Sequence, residues 1–182
     1  MEFKIPNKNN NNKELLCKIR LANKEDLESI INIESICFPP SEAAKKEDFI
    51  KRFEKFPENF IVSEIETDEN SKKKVIGFIN GCTTDKPELP DILYHDVNLH
   101  KKDGDYQTVF GIDVLPEYRK NGIATKMMEY LIKLSKERGK KGMVLTCKEH
   151  LIHFYERFGY KNMGKSSSVH GGAVWFDMVY NF

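Results

Sequence analysis

A strand pattern passes into a helix pattern within residues 107–130, QTVFGIDVLPEYRKNGIATKMMEY. Residues 107–115 show the period-two alternation of a β-strand, which Pro116 ends. Gly111 interrupts this strand, and a lone glycine there is typical of a bulge or of a close approach to the backbone. After a basic turn, apolar residues recur at helical spacing, at Met127, Met128, Leu131, Ile132 and Leu134. The stretch therefore predicts a strand, a turn and a long helix in succession.

The turn has the features of an anion-binding corner. Arg119 and Lys120 supply positive charge just before Gly122, where the helix is predicted to begin. Gly122 has no side chain and Ala124 has only a methyl group, so the N–H groups of the first helical turn can face a phosphate. A purely structural turn remains open on this spacing, since other strand-to-helix turns also carry Arg and Gly. Neither a GxGxxG nor a GxxxxGK[ST] motif occurs.

The motif RKNGIA after a strand resembles the acyl-CoA motif of the GNAT acetyltransferases, which has Arg or Gln, two residues, Gly, one residue, and Gly or Ala. In that family the turn holds the CoA pyrophosphate, and the bulged strand before it pairs with the pantetheine arm. The resemblance implies acetyl-CoA as cosubstrate. It assigns contacts with acetyl-CoA to Ile112, Asp113, Val114, Arg119, Lys120, Asn121, Gly122, Ile123, Ala124, Thr125 and Tyr155.

Residues 144–164, VLTCKEHLIHFYERFGYKNMG, extend the resemblance to the arylalkylamine N-acetyltransferase branch of the GNAT family. The similarity runs from about residue 15 to the end of the chain. It implies an α/β GNAT fold, with a mixed and mostly antiparallel sheet flanked by helices and splayed at a bulged central strand. The expected reaction is transfer of acetyl from acetyl-CoA to a small primary amine by direct attack.

This chemistry needs a neutral amine and a proton for the departing thiolate. An alkylamine with a pKa near 10.4 is neutral in only about one molecule in 2,500 at pH 7, so a base assists. Tyr155 matches the family's tyrosine beside the CoA sulfur, and its phenol is protonated at neutral pH. Its alternative role is that of a core aromatic residue beside Phe154 and Phe158. Tyr155 is therefore the predicted proton donor.

The base is where the sequence departs from the resembled branch. Two histidines of that branch match Thr108 and Phe110, and neither of these side chains can act as a base. Glu34 is the first candidate, because it matches an acidic residue that related acetyltransferases present near the amine. His100 is the second candidate. A third possibility is that ordered water removes the proton from the amine without a single essential base.

The amine pocket is expected between the first two helices and the last hairpin. Its candidate walls are Phe38, Pro40, Val169 and His170, whose apolar content suits an aromatic or alkyl amine. Acidic residues in the polar stretch 83–105 favour a polyamine instead; they are Glu88, Asp91 and Asp96. A non-catalytic acyl-CoA-binding regulatory module is the alternative of another class, because the histidine pair is missing.

A metal site is not predicted. Cys147, His150 and His153 form a CxxHxxH pattern, but zinc needs a fourth ligand and none stands at the usual spacing. A Cys147 nucleophile with a histidine base is a further possibility. The resemblance instead makes Cys147 a strand-end residue near the acetyl pocket.

The composition limits the class of protein. The chain has 182 residues, 40% of them hydrophobic, which suits one domain with a full core. Its 29 basic and 28 acidic residues give no overall field for nucleic acid or anionic membrane. Four scattered cysteines without a CxxC pair favour a reduced intracellular protein. Without an apolar signal core or a run of about 18 apolar residues, a cytoplasmic protein is expected. A monomer or homodimer is expected as well.

The remaining pattern predicts the order of the elements. Residues 1–14 are expected to form a disordered Asn-rich lead-in, and residues 15–182 a single domain. A strand at 15–21 precedes an amphipathic helix at 27–37, which Pro39 and Pro40 end. A second helix before Pro57, a hairpin of strands at 60–65 and 75–82, and a long polar loop at 83–105 follow. Beyond the central helix, strands are predicted at 143–147, 160–166 and 173–180, with a helix at 151–158.

Overall fold

The computed structural model describes residues 1–7, 14–67 and 72–182. Two five-stranded sheets and five α-helices form the fold within these ranges. The strands are β1 Glu2–Pro6, β2 Glu14–Leu21, β3 Phe60–Glu66, β4 Lys73–Asn80, β5 Thr83–Thr84, β6 Tyr106–Val109, β7 Gly111–Val114, β8 Gly142–Cys147, β9 Lys161–Lys165 and β10 Phe176–Asn181. The helices are α1 Leu27–Cys37, α2 Lys46–Lys55, α3 Ile92–His95, α4 Ile123–Glu137 and α5 Ile152–Glu156. Of the helices in the described ranges, none has the length and apolar character needed to span a bilayer.

Residues 106–114 divide between the two sheets, with β7 in the first sheet and β6 in the second. The first sheet has the order β1-β2-β3-β4-β7, and the second has the order β5-β6-β8-β10-β9. The described strand pairs are antiparallel except β6 with β8, which is parallel. Helix α4 lies between these two strands in the sequence. Only Phe110 separates β6 from β7, so the sheets part at this residue. The predicted mixed, mostly antiparallel sheet that splays at its central strand is confirmed.

Helix α1 places an acidic side chain against the central strand. Its buried face consists of Ile30, Ile33 and Glu34, which helical spacing brings to one side. This face packs on β4 and β7. The backbone N–H of Phe38 closes the helix on the Glu34 carbonyl at 2.9 Å, and Pro39 follows. The helix predicted at 27–37 is confirmed, and it carries Glu34 into the interior.

Helix α4 follows the turn that leaves β7. Its inner face buries Met127, Met128 and Leu131, and it packs against β3, β4 and β8. Gly122 stands before the first helical residue with φ of 76°, in the left-handed region where glycine carries no Cβ penalty. The helix predicted to begin at Gly122 thus begins one residue later, at Ile123, and runs to Glu137.

Three expectations need correction. The disorder predicted for residues 1–14 is wrong for β1, because Ile5 is buried and the strand pairs with β2 in antiparallel register. The Asn9–Asn12 run lies outside the described residues. A single domain at 15–182 stays a prediction. The strand 107–115 is broken at Phe110, since its halves pair in different sheets. The loop 83–105 contains β5 and α3, and buries Leu89 and Leu93.

Candidate active site

A cavity of about 880 Å³ opens where β6 and β7 part. The end of α1, the segment leading into α2, and α2 itself form one side. Strand β7, the start of α4, the end of β8 and α5 form the other. The carboxyl ends of the central strands therefore meet here, as expected for an α/β fold with a parallel pair.

The turn before α4 forms one end of the cavity. Lys120, with φ of 68°, and Gly122 are both left-handed, and no atom lies within 4 Å of a β-carbon placed on Gly122. The first intrahelical bond runs from the N–H of Lys126 to the Gly122 carbonyl. The N–H groups before it have no acceptor within the helix. An open, positively polarised helix end of this kind fits a pyrophosphate.

The predicted acetyl-CoA residues meet at this end with one exception. The cavity is lined by Ile112, Asp113, Val114, Arg119, Lys120, Gly122, Ile123, Ala124, Thr125 and Tyr155. Asn121 is not among the lining residues, and its side-chain amide donates to the Tyr118 carbonyl at 3.0 Å. Arg119 donates from Nε to the Val114 carbonyl at 2.9 Å, which holds its guanidinium beside β7.

Strand β7 offers an open edge to the cavity. It pairs with β4 on one side and is the last strand of its sheet in the part of the chain that the structure describes. An unpaired strand edge presents N–H and C=O groups that an extended ligand can use. The amide groups of a pantetheine arm have this chemistry.

Two buried carboxylates lie over Gly111. A β-carbon placed on Gly111 would stand 3.5 Å from Oδ2 of Asp113 and 3.8 Å from Oε2 of Glu34. The Glu34 side chain accepts a hydrogen bond from the Ala44 N–H at 2.8 Å, whereas Oδ2 of Asp113 has no partner among the described residues. The absence of a side chain at Gly111 leaves the space between the carboxylates open to the cavity.

Burial sets the protonation of this pair. Glu34 is 6% exposed, and burial raises the pKa of its carboxyl to about 6, although the Ala44 hydrogen bond and the charges of Arg52 and His170 oppose the rise. Burial, and then the charge of Glu34, raise the pKa of Asp113 well above its usual range. Two carboxylates that repel each other in this way titrate as a unit. They can take up a proton at neutral pH.

Tyr155 projects from α5 into the same cavity. Burial, with a smaller effect of Cys147, raises the pKa of its phenol well above the usual value, so the hydroxyl keeps its proton at neutral pH. Its ring packs edge-on against Phe154 at 5.0 Å and Tyr160 at 5.8 Å. Among the described residues the hydroxyl has no hydrogen-bond partner. It is thus held rigidly with a proton available for donation.

Aromatic rings form the other end of the cavity. Tyr94 contacts Phe110 at a centroid distance of 4.9 Å and stacks on His170 at 5.3 Å. Trp175 lies 6.0 Å from His170 and donates from Nε1 to its carbonyl at 2.8 Å. The predicted walls Phe38, Pro40 and His170 line the cavity, but Val169 does not and is 76% exposed.

The alternatives to Glu34 as base lie elsewhere or lack the chemistry. His100 does not line the cavity; its ring stacks on Phe56 at 4.8 Å, and burial lowers its pKa. Thr108 is buried and accepts a hydrogen bond from the Cys82 N–H at 2.9 Å. Phe110 lines the cavity as an apolar wall. Of the two candidate bases, Glu34 and His100, only Glu34 lines the cavity.

The CxxHxxH pattern does not converge. In the described ranges, no cluster of three or more His, Cys, Asp or Glu side chains is arranged to hold a metal ion. His153 points away to an ion-pair distance of 3.6 Å from Glu156, with its side chain 87% exposed. Burial raises the pKa of Cys147 to about 11, so the thiol is not ionised at neutral pH. Nothing in this arrangement activates Cys147 as a nucleophile.

Several residues of the cavity were not predicted from the sequence. Arg52, Tyr94 and Trp175 line the cavity beside the predicted residues, and Asp113, predicted only as an acetyl-CoA contact, contributes a buried carboxylate. Tyr94 lies on α3, inside the stretch expected to be a loop. Their placement depends on how distant segments pack, which local periodicity does not report.

The family model of the Acetyltransferase (GNAT) family matches residues 27–160. Among curated proteins, "Probable hydrolase YhcX" of Bacillus subtilis is 26% identical over 146 residues, which cover 75% of this chain and 27% of that protein. Serotonin N-acetyltransferase of Mesocricetus auratus is 24% identical over 106 residues, which cover 58% of this chain and 50% of that protein. The matches therefore span half or less of the length of these relatives.

Solved structures share the fold at low identity. The loading GNATL domain of CurA from Lyngbya majuscula superposes with a TM-score of 0.74 at 16% identity, covering 91% of this chain and 97% of that one. The GphF GNAT-like decarboxylase, in complex with isobutyryl-CoA, gives a TM-score of 0.73 at 16% identity, covering 90% and 98%. The family match spans most of the chain and includes α1, β7, α4 and α5, which build the cavity. This chain therefore belongs to the GNAT acetyltransferase family.

Proposed function

We propose that this protein is an acetyl-CoA-dependent N-acetyltransferase whose acceptor is a small primary amine, with an arylalkylamine as first candidate. The observation that carries the proposal is the pair of buried carboxylates over Gly111, inside a cavity with aromatic walls. Carboxylates attract an ammonium group and can remove its proton, while the rings receive an apolar or aromatic body.

Acetyl-CoA would occupy the end of the cavity formed by β7 and α4. The left-handed turn at Lys120 and Gly122 and the open N–H groups of α4 suit the pyrophosphate, and the free edge of β7 suits the pantetheine amides. The backbone N–H of Ile112, or of a neighbour on β7, is the proposed donor to the thioester oxygen. GphF, which shares this fold, was solved with an acyl-CoA.

The reaction follows from the groups at the junction of these two ends. Glu34 takes the proton of the ammonium group, and the free amine nitrogen attacks the thioester carbonyl carbon. A C–N bond forms, the C–S bond breaks, and the electron pair leaves with sulfur. The attacking nitrogen loses its second proton to solvent as the amide forms. Tyr155 donates its proton to the thiolate and is reprotonated from solvent, or hydrogen-bonds to the thiolate until a proton arrives from solvent. The products are the acetamide and free CoA.

A polyamine acceptor is the rival within the same chemistry. It rests on the acidic residues of 83–105, but Glu88, Asp91 and Asp96 are not among the residues that line the cavity. The Asp91 carboxylate instead accepts hydrogen bonds from the Ser168 hydroxyl and the Val169 N–H. The ring contacts among Tyr94, Phe110 and His170 favour an aryl acceptor over a polyamine.

Thiol release from acetyl-CoA tests the proposal. Purified protein is assayed with tryptamine, phenethylamine, spermidine, a diamine and a lysine peptide, and we expect the aryl amines to have the highest kcat/KM. Acetyl-CoA binding without turnover of any amine would instead support the non-catalytic module. Cytoplasmic location, a monomeric or homodimeric state, and the absence of nucleic-acid and membrane partners stay predictions.

Tyr155→Phe tests the proton donor. The variant keeps the aromatic packing and loses only the hydroxyl, so we expect kcat to fall about 100-fold or more while the Kd for CoA changes little. Tyr130→Phe is the matched control, because Tyr130 is half-buried on α4 and does not line the cavity. Unchanged turnover in Tyr155→Phe would remove Tyr155 from the mechanism.

A further inference from the structure

A buried guanidinium lies in the cavity, and no carboxylate of the described residues is in direct contact with it. Arg52 on α2 is 4% exposed and lines the cavity. Within the described ranges, no carboxylate lies at ion-pair distance from its guanidinium. One of its N–H groups, on Nη2, donates to the Tyr94 carbonyl at 2.7 Å, and Nε is buried with no partner. Burying a charge in this way is costly unless a partner completes it.

The position of Arg52 relates it to the carboxylate pair. Its guanidinium carbon lies 4.9 Å from the centroid of the Phe110 ring and 5.5 Å from that of Phe49. Phe110 directly precedes Gly111, over which Glu34 and Asp113 lie. The carboxyl groups of Glu34 and Asp113 therefore lie beside Gly111, and the Arg52 guanidinium lies beside the preceding residue, Phe110. Burial lowers the pKa of Arg52, but a guanidinium stays protonated at neutral pH.

A structural role accounts for only part of this arrangement. The Nη2 bond fastens α2 to the Tyr94 segment, and the Phe49 and Phe110 rings support the guanidinium through cation–π contacts. A backbone carbonyl and two rings leave most of the five N–H donors of an arginine unused. A planar anion such as a carboxylate matches that donor set.

We propose that the acceptor is an amino acid rather than a simple amine, and that Arg52 binds its carboxylate while its amino group faces Glu34 and Asp113. The inference rests on the proposed acetyltransferase function and narrows its substrate class. The aromatic rings of Tyr94, His170 and Trp175 would receive the side chain. An aromatic amino acid is thus the arylalkylamine with a carboxylate added at the carbon that bears the amine.

Matched pairs of acceptors test this directly. The pairs are phenethylamine with phenylalanine, tryptamine with tryptophan, and pentylamine with 5-aminopentanoate, which places the carboxylate farther from the amine. We expect kcat/KM to be about ten- to a hundred-fold higher for the carboxylate-bearing member of at least one pair, through a lower KM. A ratio at or below one in every pair would overturn the inference, while turnover of the simple amines would leave the proposed function standing.

Variants identify the residue responsible. In Arg52→Gln the ratio within the preferred pair should fall to about one, and Arg52→Lys should retain part of it, because a single ammonium lacks the planar donor set. Lys51→Gln is the matched control, since it removes a charge from the exposed side of α2. A ratio that is unchanged in Arg52→Gln would overturn the assignment to Arg52.

A second measurement does not depend on the folding of a variant. Indole-3-propionate has the ring and the carboxylate but no amine, so it should compete with the amine acceptor in the wild-type protein. Indole-3-propanol, which replaces the carboxylate by a neutral group, should be a weaker inhibitor by at least about tenfold. Equal inhibition by the two compounds would overturn the inference. Failure of every amine and amino acid to release thiol would overturn the proposed function itself.

Discussion

Glu34→Gln should make the protein more stable and much less active. The Glu34 carboxyl has a pKa of about 6 in the folded protein against an ordinary value of 4.5, and burial is the main cause. Because the folded pKa is the higher one, the folded state loses stability as pH rises from about 4.5 to 6 and stays destabilised above. At pH 7 this costs about 2 kcal/mol. Glutamine keeps an oxygen for the Ala44 N–H and carries no charge.

The expected shift in melting temperature follows from this free energy. For a chain of this length about 1 kcal/mol corresponds to about 2–4 °C, so Glu34→Gln should raise Tm at pH 7 by up to about 8 °C. The difference should vanish near pH 4, where the wild-type carboxyl is protonated. Glu28→Gln is the control on the same helix, because its side chain is 76% exposed. Thermal unfolding followed by circular dichroism at pH 4 and 7 measures both effects.

The activity of the same variant should change in the opposite direction. Loss of a general base lowers kcat/KM by about 10²- to 10⁴-fold. In the wild-type protein kcat/KM should rise as pH increases through about 6 and then level off, since the carboxylate pair provides the base. In Glu34→Gln it should rise about tenfold per pH unit from 6 to 9, following the neutral fraction of an amine with a pKa near 10.4.

Three results would refute this reasoning. A Glu34→Gln variant that is less stable at pH 7 would mean that the Glu34 charge stabilises the fold. Equal activity of variant and wild type would exclude Glu34 as the base. A wild-type rate that rises steadily to pH 9 would show that the amine loses its proton without help from the protein.

Two glycine substitutions test the geometry of the site. In Gly111→Ala the new methyl group would make ordinary contacts of 3.5 Å with Asp113 and 3.8 Å with Glu34, so the fold should persist. We expect kcat/KM to fall about tenfold or more, because the methyl group occupies the space between the carboxylates. An unaltered kcat/KM would mean that the acceptor does not enter this space. In Gly122→Ala the alanine must keep a φ of 76°, which costs about 1 kcal/mol, so Tm should fall. We also expect CoA to bind about tenfold more weakly, as measured by calorimetry. Equal affinity would place the pyrophosphate elsewhere.

The elements predicted well from the sequence are those whose ends are marked by capping residues, glycine or proline. Helix α1 lies between an Asn-acid cap and Pro39, and α4 begins after a glycine, so periodicity and boundary residues agree. Strand β1 was missed because the Asn-rich composition nearby suggested disorder, while its stability comes from pairing with β2. The break at Phe110 was missed for a similar reason. Which sheet each half joins depends on β4 and β8, which are distant in sequence.

The candidate site divides in the same way. Glu34 and Tyr155 were predicted through family motifs, and both line the cavity, although their catalytic roles stay predictions. Asp113 was predicted only as part of an acetyl-CoA-binding strand, but its side chain is a buried carboxylate coupled to Glu34. Arg52 had no signal, because an arginine among charged residues on α2 has the pattern of a solvated helix face. Burial of these charges arises only when α1, α2 and β7 pack together.

The missing histidine pair and the buried charges are connected. Thr108 stands at the first histidine position. Its Oγ1 donates to the Cys82 carbonyl at 3.1 Å and accepts from the Cys82 N–H, so it joins β6 to the segment between β4 and β5. Phe110, at the second position, supports the Arg52 guanidinium. Both positions are therefore committed to packing, and a base must come from another element. A carboxylate on α1, with its pKa raised by burial to about 6, can serve at neutral pH. The Arg52 guanidinium, beside the Phe110 ring, would then select the amines that reach this carboxylate.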